Sequence, residues 1–183
     1  SEVPVRLPPG ASFESTRPDA AKSVMAVPMT VSADTATHVN NPADLQTAVN
    51  AGGEIVLDDD ITASITIPKG KNITLDLNGK TLTNEAGNHT ITNEGTLTIK
   101  GDGTVDNVSH AKAAVYNKQG ATATLSGGKF TRSKETGKSD SVSGGNSYYN
   151  ILNQGEMTIN SGVEVSQTGH FSSLIHNGWY NGS

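Results

Sequence analysis

Short runs of alternating apolar and polar residues, separated by turns rich in Gly and Asn, fill the chain from about residue 41 onward. Such runs include Leu97-Thr98-Ile99, Ala123-Thr124-Leu125 and Met157-Thr158-Ile159. An alternation of period two places apolar side chains on one face, so it predicts short strands with one buried side. A further short strand is predicted after each run, at 104–105, 129–130 and 163–165.

An asparagine recurs ahead of these strands, at Asn93, Asn117, Asn153 and Asn177. The successive intervals are 24, 36 and 24 residues, so the middle one carries twelve extra residues. Strand and turn repeated with a period in the low twenties indicate a β-solenoid, whose coils stack about 4.8 Å apart. We expect the four asparagines to form a hydrogen-bonded ladder at one corner. Such a ladder is structural, because a ligand site has no reason to recur in every coil.

The same pattern predicts the interior of the solenoid and its lower end. Ile91, Val115 and Ile151 hold the same position in successive repeats and are expected to stack inside about six coils. Residues 41–50 combine helix-start residues with apolar residues at helical spacing, and Gly52-Gly53 follows as a stop. A short helix there would cover the open lower end of the solenoid and its strand edges.

The chain is expected to have two parts, an extended arm over residues 1–40 and a β-helix domain over residues 41–183. The arm holds five of the seven prolines and shows no sustained period. A segment of this composition does not bury enough apolar surface to order by itself. We therefore expect it to lie on a partner, with packing along its own solenoid as the alternative.

Composition excludes several classes of function. The 183 residues include no Cys, which leaves no disulfide framework and no Cys-based metal site. The net charge of −5 and the lack of a basic stripe argue against a nucleic-acid partner. No apolar run approaches the roughly 20 residues of a membrane helix, so no membrane partner is expected. The first residues also lack the basic start and apolar stretch of a secretory signal.

Four segments of the chain resemble a known family. Residues 44–49, 53–57, 73–82 and 95–101 are similar to coils of the right-handed parallel β-helix of the pectin-lyase-like superfamily. The resemblance covers residues 41–183 and implies an all-β, right-handed parallel β-helix. The superfamily includes polysaccharide lyases and hydrolases, phage tailspikes and fibres, and repetitive bacterial surface proteins. Function must therefore be argued from sites.

The acidic residues give two candidate arrangements. Asp58-Asp59-Asp60, with Asp76, offers the hard oxygen ligands that Ca²⁺ prefers, although a solvated turn is the favoured interpretation. Asp102 and Asp106 are predicted to share one coil. A glycosidase needs two carboxylates roughly 5–10 Å apart across one sugar. The positions one coil later are expected to be Gly128 and Arg132, so no acidic row continues.

Other catalytic groups are sparse. The Asp-Asp, Gly-His-Gly and Arg-Ile-Lys motifs that the resemblance implies for a hydrolase do not occur in the middle coils. Arg132 is the one weak candidate for a lyase-type arginine, beside a polar insertion at 132–146. The histidines are scattered without metal-ligand spacing, at His38, His89, His110, His170 and His176. We expect no catalytic residue, no metal and no cofactor.

Aromatic residues cluster late in the chain, which points to a contact surface. Tyr148, Tyr149, Trp179 and Tyr180 present flat rings suited to stacking on sugars or anchoring an interface. Ordinary end-capping of the last coils is the alternative. The sequence stops partway through a further coil, so we expect the upper end to be covered by another subunit or by further chain.

The sequence therefore favours a non-enzymatic structural protein on the surface of a phage particle, such as a head fibre, decoration or tail protein. The arm is expected to dock on the capsid or tail while the solenoid projects as a homotrimer and contacts host cell-surface polysaccharide. A bacterial cell-surface adhesin or glycan-binding module, which would be extracellular, is the alternative. A polysaccharide lyase is the enzymatic alternative.

Overall fold

A computed structural model describes residues 34–109, 111–133, 149–167 and 173–178. Sixteen strands and one helix occur in these ranges. In chain order they are β1 (Thr37–Val39), α1 (Pro42–Ala51), β2 (Gly53–Leu57), β3 (Ile61–Thr62), β4 (Ile65–Ile67), β5 (Asn72–Asp76), β6 (Thr81–Thr83), β7 (Ile91–Asn93), β8 (Thr96–Lys100), β9 (Thr104–Asp106), β10 (Val115–Asn117), β11 (Thr122–Leu125), β12 (Lys129–Thr131), β13 (Tyr149–Asn153), β14 (Glu156–Ile159), β15 (Glu164–Ser166) and β16 (Ser173–Asn177).

The strands form three parallel sheets that the chain visits in turn. Sheet 1 has the order β1-β2-β5-β8-β11-β14, sheet 2 the order β4-β7-β10-β13-β16, and sheet 3 the order β3-β6-β9-β12-β15. From β2 onward every third strand returns to the same sheet, so three strands make one coil. The chain is a parallel β-helix, and about five coils are described where about six were expected.

The predicted stacking of interior residues is confirmed. Val115 pairs in register with Ile91 on one side and Ile151 on the other, and all three side chains are fully buried. Leu82, Val105 and Phe130 form the corresponding interior column in sheet 3. A single apolar core therefore runs through the coils, because each inward residue lies on a like residue of the coil below.

Helix α1 begins and ends where its capping residues predict. The side chain of Asn41 accepts a hydrogen bond from the backbone N–H of Asp44 at 2.9 Å, and Pro42 occupies the first turn. Gly52, with φ of 93°, ends the helix. Leu45 and Val49 are fully buried, and the helix contacts β1, β2 and β4. The helix thus covers apolar residues of the first coil.

Two strands differ from the sequence prediction. Thr37–Val39 was placed in the arm but forms β1, which pairs in parallel with β2 through α1 as the crossover. The two-residue strand β3 was not anticipated, since Ile61 and Thr62 carry too little alternation to identify a strand. Residues 1–33 of the predicted arm and 134–146 of the predicted insertion lie outside the described residues.

Candidate functional site

Asparagine side chains stack at the corner where each strand of sheet 2 leads into the next strand of sheet 1. Nδ2 of Asn93 donates to Oδ1 of Asn117 at 2.8 Å, and Nδ2 of Asn117 donates to Oδ1 of Asn153 at 2.8 Å. Nδ2 of Asn153 donates to Oδ1 of Asn177 at 2.7 Å. The three bonds run in one direction along the axis and join four successive coils.

Asn93 and Asn117 also bond to the backbone around them. Nδ2 of Asn93 donates to the carbonyl of Thr122 at 3.0 Å, and Nδ2 of Asn117 donates to that of Glu156 at 2.9 Å. Oδ1 of Asn93 accepts the backbone N–H of Gly95 at 3.1 Å. Both asparagines are fully buried. The ladder therefore holds successive coils together, because its amide groups form hydrogen bonds with neighbouring strands.

A glycine lies two residues after Asn93 and after Asn153, where there is no space for a larger side chain. A Cβ at Gly95 would lie 2.5 Å from the carbonyl oxygen of Pro68 and 2.6 Å from that of Lys71. At Gly155, a Cβ would lie 2.5 Å from the carbonyl oxygen of Lys118. These corners require close approach of two backbones, which only glycine permits.

A second asparagine corner was not identified from the sequence. Asn84 follows β6 and Asn107 follows β9, where sheet 3 leads into sheet 2. Nδ2 of Asn84 donates to the carbonyl of Asn88 at 2.6 Å, and Nδ2 of Asn107 donates to that of Ala113 at 3.0 Å. Oδ1 of each accepts a backbone N–H two residues further on, at 2.9 and 2.7 Å. The available signal was an Asn directly after β6 and again directly after β9.

Asp106 is a buried carboxylate that ties three coils together. Its Oδ1 accepts the backbone N–H of Ser133 at 2.8 Å and the hydroxyl of Thr131. Its Oδ2 accepts the hydroxyls of Ser133 at 2.6 Å and Thr83 at 3.1 Å. Only 6% of the residue is exposed. Both oxygens are therefore saturated by hydroxyl and amide donors from β6 and from the end of β12.

Register places a different residue above Asp106 than the sequence predicted. Asp106 pairs with Thr131, whereas Arg132 was the expected position. The error is one residue, because the step between these strands is 25 residues and not 26. The conclusion that no acidic row continues from Asp106 holds, since Thr131 is not acidic either.

Arg132 takes the position after β12 that Asn84 takes after β6 and Asn107 after β9. Its side chain is fully buried. A lyase-type arginine must contact the polysaccharide, so this burial does not favour the catalytic role. A cavity of about 230 Å³ adjoins the corner, lined by Lys129, Thr131, Arg132, Ser133, Ser166 and Gln167. None of these described lining residues is a carboxylate, so they do not form the pair that a glycosidase uses.

The candidate Ca²⁺ ligands are engaged separately in local contacts. Asp58 bonds to Nδ1 of His38 at 2.8 Å, and Oδ1 of Asp60 accepts the backbone N–H of Thr81 at 2.8 Å. Oδ1 of Asp76 accepts the backbone N–H of Asn78 at 2.9 Å. Within the described ranges, no three His, Cys, Asp or Glu side chains come together in a group suited to a metal ion. Asp76 therefore accepts within its own turn, whereas Asp58 and Asp60 each contact a residue about 20 positions away in the sequence.

Of the four aromatic residues that the sequence predicted as a contact surface, the structure describes one. Tyr149 is only 6% exposed, and its ring lies 5.7 Å from that of His176 in the last coil. Its ring is therefore not available as an open stacking platform for a sugar. Tyr148, Trp179 and Tyr180 lie outside the described residues.

His89 lies in the connection between β6 and β7, beside an aromatic ring of the next coil. Its Nδ1 accepts the backbone N–H of Ala113 at 2.9 Å, and its ring centre is 5.0 Å from that of Tyr116. Burial, together with the charges of Lys112 and Lys118, lowers the pKa of His89 to about 4. The imidazole is consequently neutral at pH 7 and serves as a fixed acceptor between two coils.

The end coil, formed by β14, β15 and β16, differs from the coils below it. Ile159, Leu174 and Ile175 are the large apolar residues that are exposed in the described structure, at 39%, 43% and 43%. Each of the three strands lies at an open edge of its sheet. The exposed large apolar residues and these three edge strands therefore lie together at one end of the described structure.

Comparison with known proteins gives no assignment. The described residues contain no helical segment with the length and apolar character that a membrane crossing requires. No protein-family model, no curated protein and no solved structure matches this chain.

Proposed function

We propose that this chain is a non-enzymatic structural protein on the surface of a phage particle, such as a head fibre, decoration or tail protein. The observation that carries the proposal is the asparagine ladder, whose bonds join four successive coils at 2.7–2.8 Å. Such a column stiffens the solenoid along its axis and supports a role as a projecting element.

The state of the candidate catalytic groups supports a structural role. Asp106 has both oxygens occupied by Thr83, Thr131 and Ser133, and Arg132 is fully buried. The carboxylate that a sugar-cleaving enzyme would aim at its substrate is here directed at residues of neighbouring coils. The phage setting comes from the resemblance of the coil motifs to the pectin-lyase-like superfamily, in its fibre and tailspike branch.

The proposed attachment is through the N-terminal arm to the capsid or tail. Its proline-rich composition is that of a segment that becomes ordered on a partner. The solenoid then projects from the virion surface as a homotrimer, where host polysaccharide is the proposed contact. A mass of three times the 18.9 kDa chain is expected by light scattering at and above about micromolar concentration. A monomer mass throughout that range would contradict the trimer.

Deletion of residues 1–35 tests the attachment, since this cut leaves β1 in place. The variant should melt like the full chain but be at least tenfold depleted from purified particles, measured by immunoblot. Thr122→Asp, a change at an exposed position of sheet 1, serves as the matched control and should be retained. A deletion variant that assembles as well as the full chain would show that docking occurs elsewhere. Detection of the full chain on bacterial cells and not on particles would favour the adhesin.

A further inference from the structure

The turn between β5 and β6 contains a chemically reactive pair of residues. Asn78 is followed by Gly79, and both are exposed. Glycine has no side chain to hinder its own backbone nitrogen, so in an Asn-Gly pair that nitrogen is able to attack the asparagine amide. The sequence has further Asn-Gly pairs at 177–178 and 181–182. The pair at 78–79 is the one that has a described coil both below and above it.

The reaction of such a pair is deamidation, which needs no enzyme. The backbone nitrogen of Gly79 loses its proton to hydroxide and attacks Cγ of Asn78. The bond between this nitrogen and Cγ closes a cyclic imide, the bond from Cγ to Nδ2 breaks, and Nδ2 leaves as ammonia with a proton from water. Water then opens the ring to aspartate or isoaspartate. No oxidant or reductant takes part.

In the folded chain the two reacting groups are bonded to different coils. Nδ2 of Asn78 donates to the carbonyl of Leu57 in the coil below at 3.0 Å. The backbone N–H of Gly79 donates to the carbonyl of Asp102 in the coil above at 2.6 Å. Removal of the Gly79 proton breaks the upper bond, and approach of Cγ to the nitrogen pulls the amide away from the lower one. Deamidation therefore competes with both hydrogen bonds.

The backbone of this turn is also held in one conformation. Asn78 has a φ of 48°, in the left-handed region that asparagine tolerates. Oδ1 of Asp76 accepts the backbone N–H of Asn78 at 2.9 Å, and the N–H of Lys80 donates to the carbonyl of Leu77 at 2.8 Å. Because Asn78 and Gly79 are exposed, water and hydroxide reach them. Protection of the pair must then come from hydrogen bonds and not from burial.

We propose that Asn78 is a latent deamidation site, which the hydrogen bonds of its turn and of the coils below and above keep unreacted in the folded chain. The reaction occurs only while this corner is open, so its rate is set by the fraction of time that the corner spends open. The change is permanent, because the ammonia is lost. Aspartate or isoaspartate that accumulates at position 78 therefore records separation of the coils that contain β2, β5 and β8. This chemistry is independent of the role proposed above.

Trypsin releases residues 72–80 as one peptide, so mass spectrometry measures the site directly. The same peptide contains Asn72, where the side chain of Ile73 hinders the attack, and this asparagine serves as an internal reference. The full chain is incubated at pH 8 in buffer and, in parallel, in guanidinium chloride, which unfolds it. Conversion of Asn78 should be at least about tenfold slower in the folded chain. The amide proton of Gly79, followed by NMR, should exchange with solvent more slowly by at least about the same factor.

Asp76→Ala tests the contribution of the turn. It removes the acceptor of the Asn78 N–H and should raise the rate of conversion in the folded chain at least about threefold. Glu94→Ala is the matched control, since it removes an exposed carboxylate that pairs with Lys118 at a different corner. It should leave the rate unchanged. Circular dichroism checks that both variants are folded.

Three results would overturn the proposal. The first is conversion of Asn78 at rates that agree within about threefold in the folded and the unfolded chain. The second is slow conversion together with fast exchange of the Gly79 amide proton, because the bond to Asp102 would then not be the protecting contact. The third is a folded Asp76→Ala variant that reacts no faster than the unchanged chain. The comparison of folded and unfolded chain needs no substitution, so it stands even if Asp76→Ala does not fold.

Discussion

The middle coils and the end coil share one sequence pattern and differ in what covers them. Ile151 and Ile175 occupy equivalent positions in sheet 2, yet Ile151 is fully buried and Ile175 is 43% exposed. Alternation alone does not distinguish the two, because both lie in short apolar strands. Burial in a solenoid is therefore a property of the stack, and each coil depends on the next for its core.

The same contrast holds for polar groups. Asn117 forms hydrogen bonds with the coils on both sides, whereas among the described residues Asn177 accepts from Asn153 alone. An amide in the middle of the ladder thus satisfies two neighbours, and the terminal amide satisfies one. Substitutions at equivalent positions should consequently have different effects in the two regions.

The loss of stability should differ most between the middle coils and the end coil when a charge is introduced into the interior column. Val115→Asp buries an unpaired carboxylate between Ile91 and Ile151, and we expect it to lower the free energy of unfolding by about 4 kcal/mol or more. Ile175→Asp leaves the carboxylate in contact with water and should cost less than about 1 kcal/mol. Urea titration followed by circular dichroism measures both. Normal stability of Val115→Asp would contradict the register in sheet 2.

Substitutions in the asparagine ladder should show a smaller difference in lost stability between the two regions. Asn117→Ala removes the acceptor of Asn93 and the donor to Asn153, and it leaves buried polar groups unsatisfied. We expect a loss of about 2–4 kcal/mol. Asn177→Ala removes only the acceptor of Asn153, which should cost about 1 kcal/mol. Equal losses in the same urea titration would show that the ladder does not bind the coils cooperatively.

The ladder and the interior column could be predicted because they depend on residues that recur at a common period. Ile91, Val115 and Ile151 keep the same offset from the asparagine that follows, so a shared reference fixes their register. The register of sheet 3 lacks such a reference. The step from β9 to β12 differs from its expected length by one residue, which was enough to place Arg132 above Asp106 in error.

The chemistry of the candidate site was less predictable than the fold. Whether Asp106 is available to a substrate depends on Thr83, Thr131 and Ser133, which reach it from neighbouring coils. Hydroxyl residues are abundant throughout this chain, so no sequence signal identifies the three that saturate one carboxylate. Strand β1 was missed for a related reason, since its three residues form a strand only through pairing with β2.

Connections between the middle coils also contain a titratable contact. Nδ1 of His89 accepts the backbone N–H of Ala113, and this bond requires the neutral ring. Burial, together with the charges of Lys112 and Lys118, lowers the pKa of His89 from 6.5 to about 4. Between these values the unfolded chain binds a proton that the folded chain excludes.

Stability contributed by His89 is therefore complete above about pH 6.5 and is lost as the pH falls toward about 4. The shift corresponds to a loss on the order of 1–2 kcal/mol in the free energy of unfolding once solvent around the partly exposed ring is allowed for.

His89→Asn keeps an oxygen acceptor near the same place and does not titrate. The free energy of unfolding of the two proteins, measured at intervals from pH 7 to pH 4, should diverge in favour of the variant as the pH falls. Carboxylates titrate in both proteins, so only the difference between the curves reports on His89. Parallel curves would mean that the ring moves to water when it is protonated, and that the bond to Ala113 contributes little to holding these coils together.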